Sequence, residues 1–153
     1  MEYQIQGVGS YKIKNVLFDL NGTLANYGKV SPKLRKNIKK LKQAGLRVVL
    51  ISSDQRGNAE RWATKLGMEY INASSKAEKA KAASQFQKEQ TIAIGNGRVD
   101  LGLYQKTILS VAVINQEGCH TEVIKHADVI FNRINDALRF LLDKNTFEAT
   151  LKK

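Results

Sequence analysis

Val16-Leu17-Phe18-Asp19-Leu20-Asn21-Gly22-Thr23-Leu24 is the stretch on which the reading of this chain turns. An apolar run of strand formers ends on a carboxylate, and a Gly-Thr turn follows at once. A buried strand that stops on an acid and a turn presents that acid at the carboxyl edge of its sheet. Open α/β sheets carry their chemistry at that edge.

Upstream, residues 3–6 and 11–14 alternate apolar and polar around Gly7-Val8-Gly9-Ser10. This reads as a β-hairpin with a four-residue glycine turn, placed as an edge hairpin that extends the sheet. An oligomer contact or a partial lid is the functional alternative. Downstream, Ser31-Pro32 is a helix start, and Leu34, Ile38 and Leu41 share one face before Gly45 stops the helix. Residues 46–52 form a nearly continuous apolar strand, buried on both faces. A helix opens at 54–58 and closes at Gly67, and a short strand covers 68–71. A helix spans 76–87, a strand 91–94, and a short helix passes through Leu101 and Leu103. A strand at 108–114, a helical turn at 122–126, a strand at 129–131 and a closing helix at 134–142 complete the chain. Strands alternating with helices imply right-handed crossovers and a mainly parallel sheet. No repeat or linker breaks the pattern, so one domain over residues 1–153 is expected.

The 153 residues are enough for a sizeable core, and 42% are hydrophobic, which argues for a folded globule. The longest apolar run falls far short of a membrane span. The opening residues lack the basic and apolar regions of a signal peptide, so a cytoplasmic location and no membrane partner are expected. The single cysteine, Cys119, excludes an intrachain disulfide and a cysteine-based zinc framework. His120 and His126 lack ligand spacing and, with Cys119, read as structural. Lysines and arginines number 25 against 14 acids, a net charge of +11. The cations are spread over helices without interleaved aromatics, so they read as solvated faces and nucleic acid is not the expected partner.

Asp-Leu-Asn-Gly-Thr-Leu at 19–24 resembles the first motif of the haloacid dehalogenase-like superfamily, usually Asp-x-Asp-Gly-Thr. Residues 48–54, a lysine near Lys79, and Gly95-Asn96-Gly97-Arg98-Val99-Asp100 resemble its later motifs in the right order. Within that superfamily the chain looks most like the soluble P-type ATPase-like proteins, over almost its whole length. The resemblance implies a three-layer Rossmann-like fold with a mainly parallel sheet, preceded here by the hairpin. It also implies Asp19 as the nucleophile that forms an aspartyl-phosphate.

The remaining roles follow from the same resemblance. Ser52 matches the hydroxyl that holds the transferred phosphate, with Ser53 beside it; Ser53 and Asp54 also suit a cap on the next helix. Lys79 best matches the lysine that neutralises charge between nucleophile and phosphate, with Lys76 as the alternative. Gly22 and Thr23 match the phosphate-binding turn, whose amides are expected to hold phosphoryl oxygens. Asp19, the Asn21 carbonyl, Asn96 and Asp100 match the Mg²⁺ site. Two positions depart from the pattern. Asn21 stands where phosphatases carry a second Asp, and an amide cannot act as general acid or base, so slow turnover is expected. Asn96 stands where the usual first acid ligates Mg²⁺, so metal affinity should suffer.

The spacing from Leu24 to Ile51 has room for one loop, one helix and one strand. The protein therefore looks capless and lacks the nucleotide-binding domain of P-type ATPases. The expected function is a Mg²⁺-dependent phosphohydrolase acting on phosphate esters or acyl phosphates. Its substrate would be a phosphorylated small molecule or a phosphoprotein. A homo-oligomer, with a neighbouring subunit as lid, is a candidate assembly. The alternative is a catalytically weak or inactive module of the same fold that binds phosphate or protein.

Overall fold

The computed structural model describes residues 1–53 and 57–153. The chain opens with the antiparallel pair β1 (Glu2–Ile5) and β2 (Gly9–Lys12). It continues through β3 (Asn15–Phe18), α1 (Pro32–Gln43), β4 (Arg47–Ser52), α2 (Ala59–Leu66), β5 (Glu69–Asn72) and α3 (Lys76–Ala83). Then follow β6 (Thr91–Gly95), α4 (Leu101–Tyr104), β7 (Leu109–Val113), α5 (Thr121–His126), β8 (Val129–Phe131), α6 (Ile134–Leu142) and α7 (Lys144–Leu151). Local chemistry sets several ends. The Ser31 side chain accepts from the Leu34 amide and Pro32 supplies a preset φ at the start of α1. Ser75 and Glu78 form a reciprocal capping box on α3.

Six strands form one sheet in the order β5-β4-β3-β6-β7-β8, and every neighbouring pair is parallel. The chain winds outward from β3 to β5, then returns to start β6 on the other side of β3. That reversal opens a crevice between the carboxyl ends of β3 and β6, where ligands bind in doubly wound sheets. The strand period of two divides the side chains between two layers. Val16, Phe18, Val48, Leu50, Ile92 and Ile94 pack with α1, α2 and α6. Leu17, Val49, Ile51, Ala93 and Ala112 face α3, α4 and α5. The second layer is built from smaller residues, with Ala82 and Ala83 on α3. Small side chains let α3 lie close to the sheet, near the end of β3. Among the described residues, no helix is long and apolar enough to cross a membrane.

Four expectations need correction. The hairpin does not extend the six-stranded sheet but forms a separate two-stranded one. Its loop is also tighter than expected, because Ile5 pairs with Gly9 and only residues 6–8 turn. The helix expected over 76–87 ends at Ala83, where the Ser84 hydroxyl bonds back to the Ala80 and Lys81 carbonyls. A further helix, α7, follows the one expected to close the chain, with the Asp143 carboxylate accepting from the Thr146 amide at its start. The helix opening expected at 54–58, including the Asp54 cap, begins outside the described residues.

The hairpin and α7 explain each other. The Tyr3 ring stacks on Phe147 at 3.8 Å, and Phe147 stacks on Phe140 at 4.8 Å. The Tyr3 hydroxyl donates to the Leu141 carbonyl at 2.6 Å, and the Gln4 amide donates to Glu148. A lone hairpin is marginal in water, so α7 supplies the apolar face that β1 needs. Truncating Phe147→Ala should therefore cost about 3–5 kcal/mol. Urea unfolding would read this as a lowered midpoint, and a loss below about 1 kcal/mol would show that the stack contributes little.

Candidate active site

Asp19 follows β3 directly, and by strand alternation it falls on the same side of the sheet as Leu17, facing α3. There the ammonium of Lys79 lies 2.7 Å from Asp19 Oδ1 and 2.6 Å from Asp100 Oδ1. All three side chains are buried, and Lys79 is only 2% exposed. The other Asp100 oxygen accepts from the Asn96 and Gly97 amides at 3.0 and 2.8 Å, so this carboxylate holds both the lysine and the loop after β6. Gly95 makes the arrangement possible, since a Cβ there would sit 2.6 Å from the Asp100 Cβ and Cγ. Lys76 is exposed and lines a separate cleft with Arg98 and Tyr104.

The electrostatics follow from one cation between two anions. Burial, then the neighbouring Asp100, raises the Asp19 pKa to about 6, although Lys79 pulls the other way. Burial by itself would lower the Lys79 pKa, but Asp19 and Asp100 outweigh it and the net direction is upward. The two shifts look opposed for a simple ion pair. They agree once the second carboxylate is counted, because Lys79 gains from both acids while Asp19 is repelled by Asp100.

A cavity of about 220 Å³ opens beside this triad. Asp19, Asn21, Ser52, Ser53, Lys79, Asn96 and Asp100 contribute to its lining, with Ser74 and Val99. Gly22 and Thr23, expected to hold phosphoryl oxygens through the turn amides, are not among the lining residues. The Gly22 amide donates to the Ala25 carbonyl and the Thr23 amide to the Leu20 carbonyl, so the turn closes on itself. Gly22 serves as clearance instead. It has φ +77°, and a Cβ there would collide with the Asn96 carboxamide. The Thr23 hydroxyl lies 3.1 Å from Asn96 Oδ1 and 3.4 Å from Asp19 Oδ2. Asn96 Nδ2 donates to the Gly118 carbonyl at 3.0 Å. The Asn96 side chain therefore ties the nucleophile turn to the loop before α5.

The donor set decides which cation the cavity suits. Asp19, Asn21 and Asn96 offer oxygen, and among the described residues no thiol or imidazole lines the cavity. Hard oxygen donors fit Mg²⁺, which keeps several waters and needs few protein ligands. Among the described residues, no group of three or more His, Cys, Asp or Glu stands together. With Asp100 holding Lys79, Asp19 would be the charged ligand of a bound cation. Cys119, His120 and His126 lie outside the cavity, and His120 caps α5 by accepting from the Glu122 amide.

One positioning residue escaped the sequence reading. Asn115, just beyond β7 and at φ +49°, donates from Nδ2 to the Gly22 carbonyl at 2.8 Å and the Thr23 carbonyl at 2.7 Å. Its Oδ1 accepts from the Ile134 amide at 2.9 Å, at the start of α6. The available signal was a polar residue two positions past a buried strand, followed by a polar turn. Asn115→Asp keeps the size and the acceptor but turns an anionic oxygen toward two carbonyls. It should cost about 1–3 kcal/mol in urea unfolding, and no change would show that the clamp is dispensable.

Lys79→Met leaves two buried carboxylates without their cation and should cost about 3–5 kcal/mol near neutral pH. The sign with pH is fixed. Asp19 already titrates near 6 when folded, above its ordinary 3.8, and loss of Lys79 raises it further. The native state then holds a proton that the unfolded chain has released. The deficit should therefore shrink as pH falls from the variant's raised Asp19 pKa toward the parent's value of about 6, and change little from Asp19 below that. Unfolding curves at several pH values check this, and a deficit independent of pH would contradict it.

Comparisons with known proteins give the context for this geometry. Residues 25–103 match the family model for haloacid dehalogenase-like hydrolases. An uncharacterized protein of Methanocaldococcus jannaschii is 38% identical over 81 residues, covering 50% of this chain and 87% of that one. The fold is shared with the cobalt-bound deoxy-D-mannose-octulosonate 8-phosphate phosphatase of Haemophilus influenzae, at 20% identity, TM-score 0.75, and coverage of 93% of this chain and 94% of that one. It is also shared with the 3-deoxy-D-manno-octulosonate 8-phosphate phosphatase of Moraxella catarrhalis, in complex with magnesium, phosphate and its sugar-acid ligand. That likeness has 18% identity, TM-score 0.72 and 90% coverage of each chain. With the doubly wound sheet, no inserted cap between β3 and β4, and half the chain matching the family model, this protein belongs to the haloacid dehalogenase-like hydrolases.

Proposed function

We propose that the protein is a Mg²⁺-dependent phosphohydrolase that works through an aspartyl-phosphate on Asp19. The observation that carries this reading is the buried Lys79 ammonium between Asp19 and Asp100, beside a polar cavity at the switch point of the sheet. An Asp19 oxygen attacks phosphorus and the ester oxygen leaves with the phosphoryl bond pair. Lys79 offsets the negative charge that gathers as phosphate meets carboxylate. The hydroxyls of Ser52 and Ser53 line the same cavity and suit phosphoryl oxygens. A Mg²⁺ held by Asp19, Asn21 and Asn96 would supply charge neutralisation of the phosphate. Water then hydrolyses the acyl phosphate, releasing phosphate and restoring Asp19.

Asn21 cannot give a proton to the leaving group or take one from the water, so solvent must serve and turnover is slow. The substrate is a phosphorylated small molecule, in keeping with the sugar-acid phosphates named for the structural neighbours. A phosphoprotein remains within reach of a capless site, and a neighbouring subunit is a candidate lid. Residues 1–153 act as one domain, since the opening hairpin packs on the last helix. A cytoplasmic setting fits this chemistry. The second reading, a binding module with little turnover, is favoured by the Asn96 carboxamide, whose two ends are both engaged within the protein.

Phosphate release from a panel of esters and acetyl phosphate, with and without Mg²⁺, tests the reading. Mg²⁺-stimulated release should be lost in Asp19→Asn. Asn21→Asp should raise the rate by about a hundred- to ten-thousand-fold. Because only the ionised Asp19 attacks, kcat/KM should fall as pH drops through about 6 and level off above it. Release that survives Asp19→Asn would refute the nucleophile assignment. Folded protein giving neither release nor an acid-trapped phosphoenzyme would favour the binding module.

A further inference from the structure

Charge that looks diffuse in the sequence is gathered in the structure. In α1, Lys33, Arg35, Lys36, Lys39, Lys40 and Lys42 occur within twelve residues and no acid lies among them. Arg35, Lys36, Lys39 and Lys42 line one wall of a cleft of about 800 Å³, and Lys65 of α2 lines the other. Among the described residues no acidic side chain contributes to the lining. Four surface cations elsewhere have acidic partners: Arg47 with Glu69, Lys125 with Glu122, Arg133 with Asp136, Lys144 with Glu148; the exposed cations without one among the described residues, such as Lys88, Lys106 and Lys152, do not share a cleft wall. Arg35, Lys36, Lys39 and Lys65 make no ion pair among the described residues. Like charges three and four residues apart on a helix repel, so α1 carries an electrostatic cost that its own fold does not offset.

We propose that this cleft docks the phosphate backbone of a single-stranded nucleic acid, independently of the phosphohydrolase site. Arg35, Lys39 and Lys42 recur at i, i+4 and i+7, a stripe about 10 Å long from the helical rise, and Lys65 answers across the cleft. Cations on both walls of a concavity suit an extended polyanion threaded between them. An anionic membrane would favour a flatter face with exposed apolar residues, and here Leu66 is buried. Lys42 donates to the Gly67 carbonyl at 2.6 Å and Trp62 is half-buried near Lys65, so no free aromatic lines the cleft for base stacking. Binding is therefore independent of sequence. A net charge of +11 adds long-range attraction.

Fluorescence anisotropy with the whole chain and a labelled mixed-sequence RNA of about 20 nucleotides tests this. From about 50 to 200 mM salt, log K should fall against log salt with a slope of about −3, as expected for four neutralised phosphates. The triple variant R35Q/K39Q/K65Q should bind at least about tenfold more weakly, with a slope near −1. The control K88Q/K106Q/K152Q removes equal charge from exposed positions outside the cleft and should bind within about twofold of the parent. Equal losses in both variants, no binding at the lowest salt, or equal competition by polyglutamate or phosphatidylserine vesicles would overturn the proposal. Far-ultraviolet circular dichroism of both variants ensures that lost binding is not lost fold.

Discussion

The site depends on one buried ammonium. Lys79 joins the nucleophile strand to the loop after β6 by touching a carboxylate from each. Burying two acids and a lysine is expensive, and the arrangement stands only because every charge has close partners. Asp100 adds two backbone amides to its ammonium. Asp19 has less support, and burial followed by the Asp100 charge raises its pKa toward 6 while it lines the cavity. Asp100 is satisfied by its neighbours and Asp19 is less so, which suits the nucleophile role proposed for it.

Backbone geometry serves that contact. The sheet face toward α3 is built of small residues, so the helix approaches closely enough for a lysine to reach the strand end. Gly95 removes the side chain that would collide with Asp100, and Gly22 removes the one that would collide with Asn96. The nucleophile turn is then held from outside by Asn96 and Asn115, which arrive from loops beyond the next two strands. The amides of Gly22, Thr23 and Ala25 close on carbonyls of the turn itself, which makes the turn a rigid pedestal for Asp19.

The sequence carried the parts of this design that depend on local pattern. The apolar run before Asp19, the Ser31-Pro32 start and the glycine-rich stretch at 95–100 are short-range signals, and each element formed near its expected place. The mainly parallel sheet and the capless spacing followed from alternation and length, while the strand order did not. What stayed hidden depends on distant partners. The apolar positions of α7 are few, and Phe147 becomes informative only when Tyr3 stacks on it. The hairpin alternates like an edge strand, yet its buried face meets a helix 140 residues away in the chain. Lys79 and Lys76 are similar on an Ala-rich helix until the fold buries one and exposes the other. The committed amides of Gly22 and Thr23, and the clamp of Asn115, have no one-dimensional signature beyond residue type.

The two asparagines then acquire a common physical meaning. With aspartate at 21 and 96, as the family pattern has it, four carboxylates would crowd one ammonium. Two amides reduce that to two, so one ammonium leaves the site with a single excess negative charge. Asn96 also does what a carboxylate could not, accepting from the Thr23 hydroxyl with one end and donating to the Gly118 carbonyl with the other. An aspartate there would face that carbonyl with a second acceptor and loosen the loop that Asp100 and Lys79 depend on. The same amide that weakens a cation's hold therefore strengthens the scaffold around the nucleophile. Under the proposed chemistry this favours a site preorganised by its own protein contacts.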